Sequence, residues 1–258
     1  MMSTTSPVQV SPGNPHHSPR HFALIPAAGV GARMAANCPK QYLPILGQPV
    51  LWHTVQAFLH SPGIDHTFVV VSRDDGYIGH VFPEAVPGLT ILRCGGATRA
   101  DSVRQGLQAM LAHPLAPQEQ AQAQPQAEDW VLVHDAARCG LTPALIARLQ
   151  SELAGDEVGG LLALPVVDTV KQVSAGSVRT IPRDGLWLAQ TPQMFRHQTL
   201  LHALQAAQAS PGAVTDEASA IEMQGLVPKL VPGHMRNMKL TVPDDLALLT
   251  ALMGDSAR

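Results

Sequence analysis

Phe22-Ala23-Leu24-Ile25-Pro26-Ala27-Ala28-Gly29-Val30-Gly31-Ala32-Arg33-Met34 decides the fold: a short apolar strand runs straight into a turn of small residues and glycine. Glycines in such a turn let backbone N–H groups approach phosphate oxygens closely. Neither of the two common phosphate fingerprints fits. A Rossmann turn would carry Gly where Met34 stands, and a Walker A loop would end in Gly-Lys-Ser/Thr. Arg33 in the turn and Lys40 in the following Pro39-Lys40-Gln41 add positive charge. Fixed cations beside the α-phosphorus of a triphosphate stabilise the transition state of in-line attack more than the ground state. The bland alternative is a plain strand-to-helix turn with solvated Arg and Lys.

Working outward, apolar runs at 66–72, 89–94, 130–133 and 160–166 read as buried strands. Residues 49–59 and 98–111 read as helices, the second opened by Thr98 and Asp101 at capping-box spacing. Thr142-Pro143 marks another helix start. Strands alternating with helices predict an α/β fold with a doubly wound, mostly parallel sheet. Such a sheet binds ligands outside the carboxyl ends of its strands, where strand order reverses. The segments after Ile25 and after Val133 fall at strand ends of this kind.

Residues 170–174 and 177–181 alternate around Ala175-Gly176 and predict a β-hairpin. A lone hairpin is marginal in water, so the protruding arm, residues 168–183, is expected to pack on a second subunit as a dimerisation arm. Residues 1–21 are rich in Ser, Pro and His and read as a disordered tail, with 22–253 as the domain and 254–258 as a second tail. Within the domain, residues 113–129 are an Ala/Gln/Pro-rich insertion without period.

The formal charge of −3 leaves no whole-protein basic field for nucleic acid or an anionic membrane, so positive sites must be local. Three scattered cysteines, Cys38, Cys94 and Cys139, without a C-x-x-C pair argue against a disulfide framework or structural zinc and fit a reducing, cytoplasmic setting. No apolar run approaches the ~18 residues that span a bilayer, and no Gly-x-Ser-x-Gly elbow points to covalent catalysis. His134-Asp135-Ala136-Ala137-Arg138 follows a buried strand, and an Asp there, beside a phosphate loop, is a natural Mg²⁺ ligand.

The stretch 25–41 resembles the nucleotidyltransferase signature. The later motifs narrow the resemblance to the 2-C-methyl-D-erythritol 4-phosphate cytidylyltransferase family, over residues 22–249. That resemblance implies a Rossmann-like nucleotidyltransferase fold, a homodimer using Mg²⁺ or another divalent cation, and transfer of CMP from CTP to 2-C-methyl-D-erythritol 4-phosphate. The products would be 4-diphosphocytidyl-2-C-methyl-D-erythritol and pyrophosphate, in non-mevalonate isoprenoid precursor synthesis. It further implies that Ala27, Ala28, Gly29, Gly31, Arg33, Lys40, Gly95, Gly96, Ser102, Asp135 and Ala136 hold the nucleotide. Arg33, Lys40 and Lys239 are the implied catalytic cations. Asp135, Arg138, Thr169, Arg183, Thr191, Thr215 and Lys239 are implied around the polyol phosphate, the hairpin end reaching into the neighbouring subunit's site. Two positions depart from the family pattern: Ala97 stands where an acidic residue often follows the glycines, and Cys139 where the His134 motif continues with Pro. A ribitol 5-phosphate cytidylyltransferase, and a nucleotide-binding module without turnover, are the competing readings. The choice of cytosine as base rests on the resemblance alone.

Overall fold

A computed structural model describes residues 19–29, 38–112, 126–174, 176–209 and 214–254. Gly31 and Arg33, most of both expected tails, Ala175 and residues 113–125 of the insertion lie outside the described residues. In chain order the elements are β1 (His21–Pro26), β2 (Pro44–Ile45), β3 (Gln48–Pro49), α1 (Val50–Leu59), β4 (His66–Val70), α2 (Ile78–Val81), β5 (Leu89–Leu92) and α3 (Arg99–Ala112). Then come β6 (Trp130–Val133), α4 (Pro143–Leu153), β7 (Gly159–Pro165), β8 (Val170–Ser174), β9 (Ser177–Ile181), β10 (Trp187–Arg196), α5 (His197–Ala206), α6 (Glu217–Glu222), β11 (Lys229–Pro232) and α7 (Asp245–Gly254).

Seven strands form the central sheet in the order β11-β7-β10-β6-β1-β4-β5. Neighbours pair in parallel except at β10, which runs antiparallel between β6 and β7. The sheet is therefore mostly parallel, as expected, and it is apolar on both faces. Strand alternation sends Ala23, Ile25, Trp130 and Leu132 to one layer with α1 and α4. It sends Phe22, Leu24, Val131 and Val133 to the other, with α3 and α5. Helices on both faces make the doubly wound arrangement.

The chain leaves β1 toward β4 on one side and later returns to place β6 on the other. The carboxyl ends of β1 and β6 thus diverge at a topological switch point, the crevice that such sheets offer to ligands. Residues 27–29 and 134–135 stand there.

Three boundaries differ from the sequence expectation. The tail was expected to run to residue 21, yet Arg20 pairs with Asp129 at 2.9 Å and His21 opens β1. Asp129 itself, expected in a loose insertion, is fully buried and also accepts the Gln126 N–H. Gly254, expected in the second tail, closes α7. The expected hairpin is present as β8 and β9, which among the described residues form a separate two-stranded sheet.

Candidate active site

A cleft of about 670 Å³ opens at the switch point. Among its lining residues are Ala27, Ala28, Gly29, Lys40, Gly96, Arg99, Ser102, Asp135, Ala136 and Lys239. Side chains two hundred residues apart meet here because each sits at the end of a sheet strand or on a loop laced to one.

The turn after β1 is held from two sides. Ala27 N–H continues the sheet to Val70 O at 2.7 Å. Gly95 packs so closely on the turn that a Cβ there would lie 2.3 Å from the Ala28 Cβ, so the pair needs one Gly and one small residue. Gly96 N–H donates to Ser102 Oγ at 3.1 Å, and Ser102 Oγ–H donates to Thr98 O at 2.9 Å. Ser102 therefore shapes the glycine turn at the start of α3. The expected Thr98 cap is realised in a variant form: Thr98 Oγ1 accepts the Asp101 N–H and donates to the Asp101 carboxylate.

Asp135 is the electrostatic centre, 7% exposed. Its Oδ1 accepts from Arg99 Nε at 2.7 Å, and its Oδ2 from Lys239 Nζ at 2.8 Å and Arg138 Nε at 3.4 Å. Burial alone would raise its pKa, but Arg99, Lys239 and Arg138 outweigh burial and hold the carboxyl far below the usual range. Arg99 continues to Glu217 in a two-pronged ion pair at 2.6 and 3.0 Å. Burial opposes the Arg99 charge, yet the two carboxylates raise its pKa further. Glu217 is 1% exposed and begins α6, whose Asp216/Ser219 capping box and Gln193 contacts fix it in place.

A buried relay orients the Asp135 backbone. His134 Nε2 lies 3.1 Å from Arg138 O, which can only accept, so Nε2 carries the proton. Nδ1 then accepts from Thr191 Oγ1 at 2.9 Å, and Thr191 Oγ1 accepts the Asp135 N–H at 3.1 Å. Burial pushes the His134 imidazole down to about 3, so the ring is neutral and its tautomer fixed.

Lys239 arrives on a segment stitched to the same loop. Leu240 N–H donates to Ala137 O at 2.8 Å, Arg138 Nη1 to Asn237 O at 2.8 Å, and Asn237 Nδ2 to Thr191 O at 2.7 Å. Gly140 makes the approach possible, since a Cβ there would fall 1.8 Å from Arg236 O. Lys40 reaches the same segment, Nζ donating to Leu240 O at 2.8 Å.

The structure gathers Ala27, Ala28, Gly29, Lys40, Gly96, Ser102, Asp135, Ala136 and Lys239 at one cleft; of the other expected residues, Gly31 and Arg33 lie outside the described residues and the rest do not line it. Thr191 was expected on the polyol phosphate; the residue is 4% exposed and its hydroxyl is bonded to His134 and Asp135. Arg138 divides its donors among Asp135, Asn237 O and Ala189 O. Thr215 lines a neighbouring cavity beyond the Arg99–Glu217 pair. Thr169 and Arg183 flank the hairpin outside this cleft, Arg183 donating to Val167 O. Gly95 is behind the wall as a packing residue. The sequence expectation assigned no role to Arg99 or Glu217: Glu217 reads as an ordinary acidic first-turn residue, and Arg99 as a charge at the start of a helix. Cys139, at the position of the family's Pro, is buried with Ile45, Val50 and Leu240, and burial raises its thiol to about 11, leaving it unreactive.

The family model for 2-C-methyl-D-erythritol 4-phosphate cytidylyltransferase, IspD, matches residues 21–255. The chain belongs to the IspD family. An IspD relative from Azoarcus sp. is 52% identical over 240 residues, covering 92% of this chain and 95% of its own length. One from Aromatoleum aromaticum is 50% identical over 233 residues, covering 89% and 94%. The crystal structure of a 4-diphosphocytidyl-2C-methyl-D-erythritol synthase superposes with a TM-score of 0.76 at 38% identity, covering 92% of this chain and all of that one. Membership of the IspD family makes the protein a cytidylyltransferase, and IspD enzymes in general use a divalent cation.

Among the described residues no cluster of three acidic, His or Cys side chains could cage a metal. The cleft still suits Mg²⁺, which needs only one or two carboxylates when substrate phosphates and water supply the rest. Asp135 is the carboxylate at the cleft, and Lys239, 36% exposed, is the most exposed of its three cationic partners.

Proposed function

We propose that the protein transfers the cytidylyl group of CTP to 2-C-methyl-D-erythritol 4-phosphate and releases pyrophosphate. The observation that carries this reading is the convergence of the β1 turn, Lys40, Asp135 and Lys239 on one cleft at the switch point. An oxygen of the polyol phosphate monoester forms the new bond to the α-phosphorus. The bridging bond between the α- and β-phosphates breaks, and its electron pair leaves with pyrophosphate. The monoester oxygens are already ionised near neutral pH, so no general base is required, and catalysis is positioning and charge neutralisation.

In this reading the turn at residues 27–29 faces the triphosphate, and Gly96 with the start of α3 faces cytosine and ribose. Lys40 and Arg33 neutralise charge that grows on the transferring group. Lys239 holds the attacking phosphate beside it, and Asp135 would hold the metal. Bound there, the cation would draw charge from the phosphate oxygens. Arg99 and Arg138 keep Asp135 ionised and aimed at the cleft. Thr169 and Arg183 serve the polyol phosphate from the hairpin of a second subunit. Support for that arm comes from its separate two-stranded sheet and its exposed apolar residues: Val173 and Val178 are 70% and 67% exposed. Among the described residues no helix is long and apolar enough to cross a membrane, and the buried, unpaired thiol of Cys139 suits a cytoplasmic setting.

The test is pyrophosphate release from each of the four common nucleoside triphosphates with either methylerythritol phosphate or ribitol 5-phosphate. The expected result is metal-dependent release with CTP and methylerythritol phosphate alone. Preference for ribitol 5-phosphate, or release with no cytosine preference, would overturn the assignment.

A further inference from the structure

The run Lys40-Gln41-Tyr42 forms a single 3-10 turn, and each of its side chains ties down a different wall of the cleft. Lys40 reaches Leu240 O, beside Lys239. The Tyr42 hydroxyl donates to Asp75 Oδ2 at 2.8 Å, after β4, while its ring stacks on Tyr77. Gln41 points between them. Its amide Nε2 donates to Ala27 O at 2.7 Å and to Gly29 O at 3.0 Å, and the residue is only 4% exposed.

Both carbonyls belong to the turn at the mouth of β1. In a trans peptide the carbonyl and the following N–H point in opposite directions, so fixing Ala27 O toward Gln41 aims the Ala28 N–H away from it. A carbonyl oxygen rotated into the cleft would repel a polyanion, whereas an N–H attracts one. The turn has small side chains and no intrinsic preference strong enough to settle which edge faces the cleft. A buried amide with two donors, each spent on a carbonyl of the turn, does settle it.

We infer that Gln41 is a positioning residue that sets the polarity of the phosphate-facing turn, acting on the triphosphate and not on the base. The inference rests on the cleft being the CTP site. Gln41 does not itself touch the reacting atoms; it acts through the peptides of residues 27–29 and through the backbone it shares with Lys40.

Calorimetric titration of the full-length protein with three ligands tests this: CTP, inorganic tripolyphosphate (phosphates without a base) and cytidine (base and ribose without phosphates). In Gln41→Met, which removes both donors, tripolyphosphate and CTP are expected to bind roughly 10- to 100-fold more weakly, the loss of two buried hydrogen bonds. Cytidine affinity is expected to stay that of the wild type. Gln41→Glu keeps the shape and turns an acceptor toward the carbonyls, so its loss for tripolyphosphate should be larger still, again sparing cytidine. Should the Met variant fail to fold, the Glu variant carries the same comparison. Equal weakening of cytidine and tripolyphosphate, or unchanged tripolyphosphate in both variants, would overturn the inference while leaving the proposed function standing. A wild type that binds CTP no better than cytidine would remove both.

Discussion

Arg99 sits between two buried carboxylates and gives each of them a different task. Toward Asp135 it supplies a buried charge that, in the proposed mechanism, leaves Lys239 free for the substrate phosphate; toward Glu217 it anchors the start of α6. An ion pair so placed is costly to break on one side only, because the partner is left charged and dry. Arg99→Met is therefore expected to lose roughly 3–5 kcal/mol of stability, read as a lowered urea midpoint, together with most turnover. Adding Glu217→Gln should restore much of the stability by removing the orphaned charge, and should not restore turnover. Recovery of both in the double variant would show that Arg99 serves α6 alone. The same residue explains a gap in sequence reasoning. A Glu opening α6 reads as an ordinary helix-start residue and an Arg opening α3 as a surface charge, and nothing local signals that they meet across 118 positions.

Elements that carry their own signal were legible: the apolar run of β6, the alternating hairpin, and α4 with Thr142 capping Leu145. Strand β10 was not. Its Thr191-Pro192 reads as a strand breaker, and the sheet accommodates it through an irregularity in register between Ala189 and Gln193. That irregularity is also what delivers Thr191 to His134 and Asp135, so the local rule fails at a place the site uses. Strand β11 was missed because Lys229–Pro232 is short and ends in Pro. At this scale the close crossing at Gly140 makes a sharp prediction. Gly140→Ala forces a methyl against Arg236 O and must displace the segment that carries Lys239. A loss of roughly 1–3 kcal/mol is expected, with turnover falling further than nucleotide affinity; unchanged kinetics would mean that Lys239 is placed by other contacts. For the arm, Val173→Asp with Val178→Asp is expected to convert a dimer into a folded monomer with little activity, measured by light scattering. A variant still dimeric would place the subunit contact elsewhere.

Across the whole molecule, the alternation of strands and helices foretold the layering and the crevice, because both follow from local pattern and chain connectivity. The ion-pair partners did not follow, being set by tertiary packing. Stability as a function of pH is likewise a property of the ensemble of buried groups. Burial holds the His21, His134 and His197 imidazoles below their ordinary value. Below about pH 6.5 the unfolded chain takes up protons that the folded chain refuses, so stability falls with pH there, by up to ~1.4 kcal/mol per pH unit for each such group. Urea unfolding at about pH 7.5 and about pH 5 should show this acid loss. His197→Gln, at the opposite end of the strands from the cleft, should lessen the slope, and an unaltered slope would mean His197 titrates normally. Asp135, the carboxylate held by three cations at the switch point, is the centre of the site. The decisive measurement is kcat for CTP-dependent pyrophosphate release in Asp135→Asn, which preserves shape and removes charge. A fall of ~10² to 10³ in a folded protein is predicted, the scale of losing one electrostatic stabiliser; turnover near that of the wild type would contradict it.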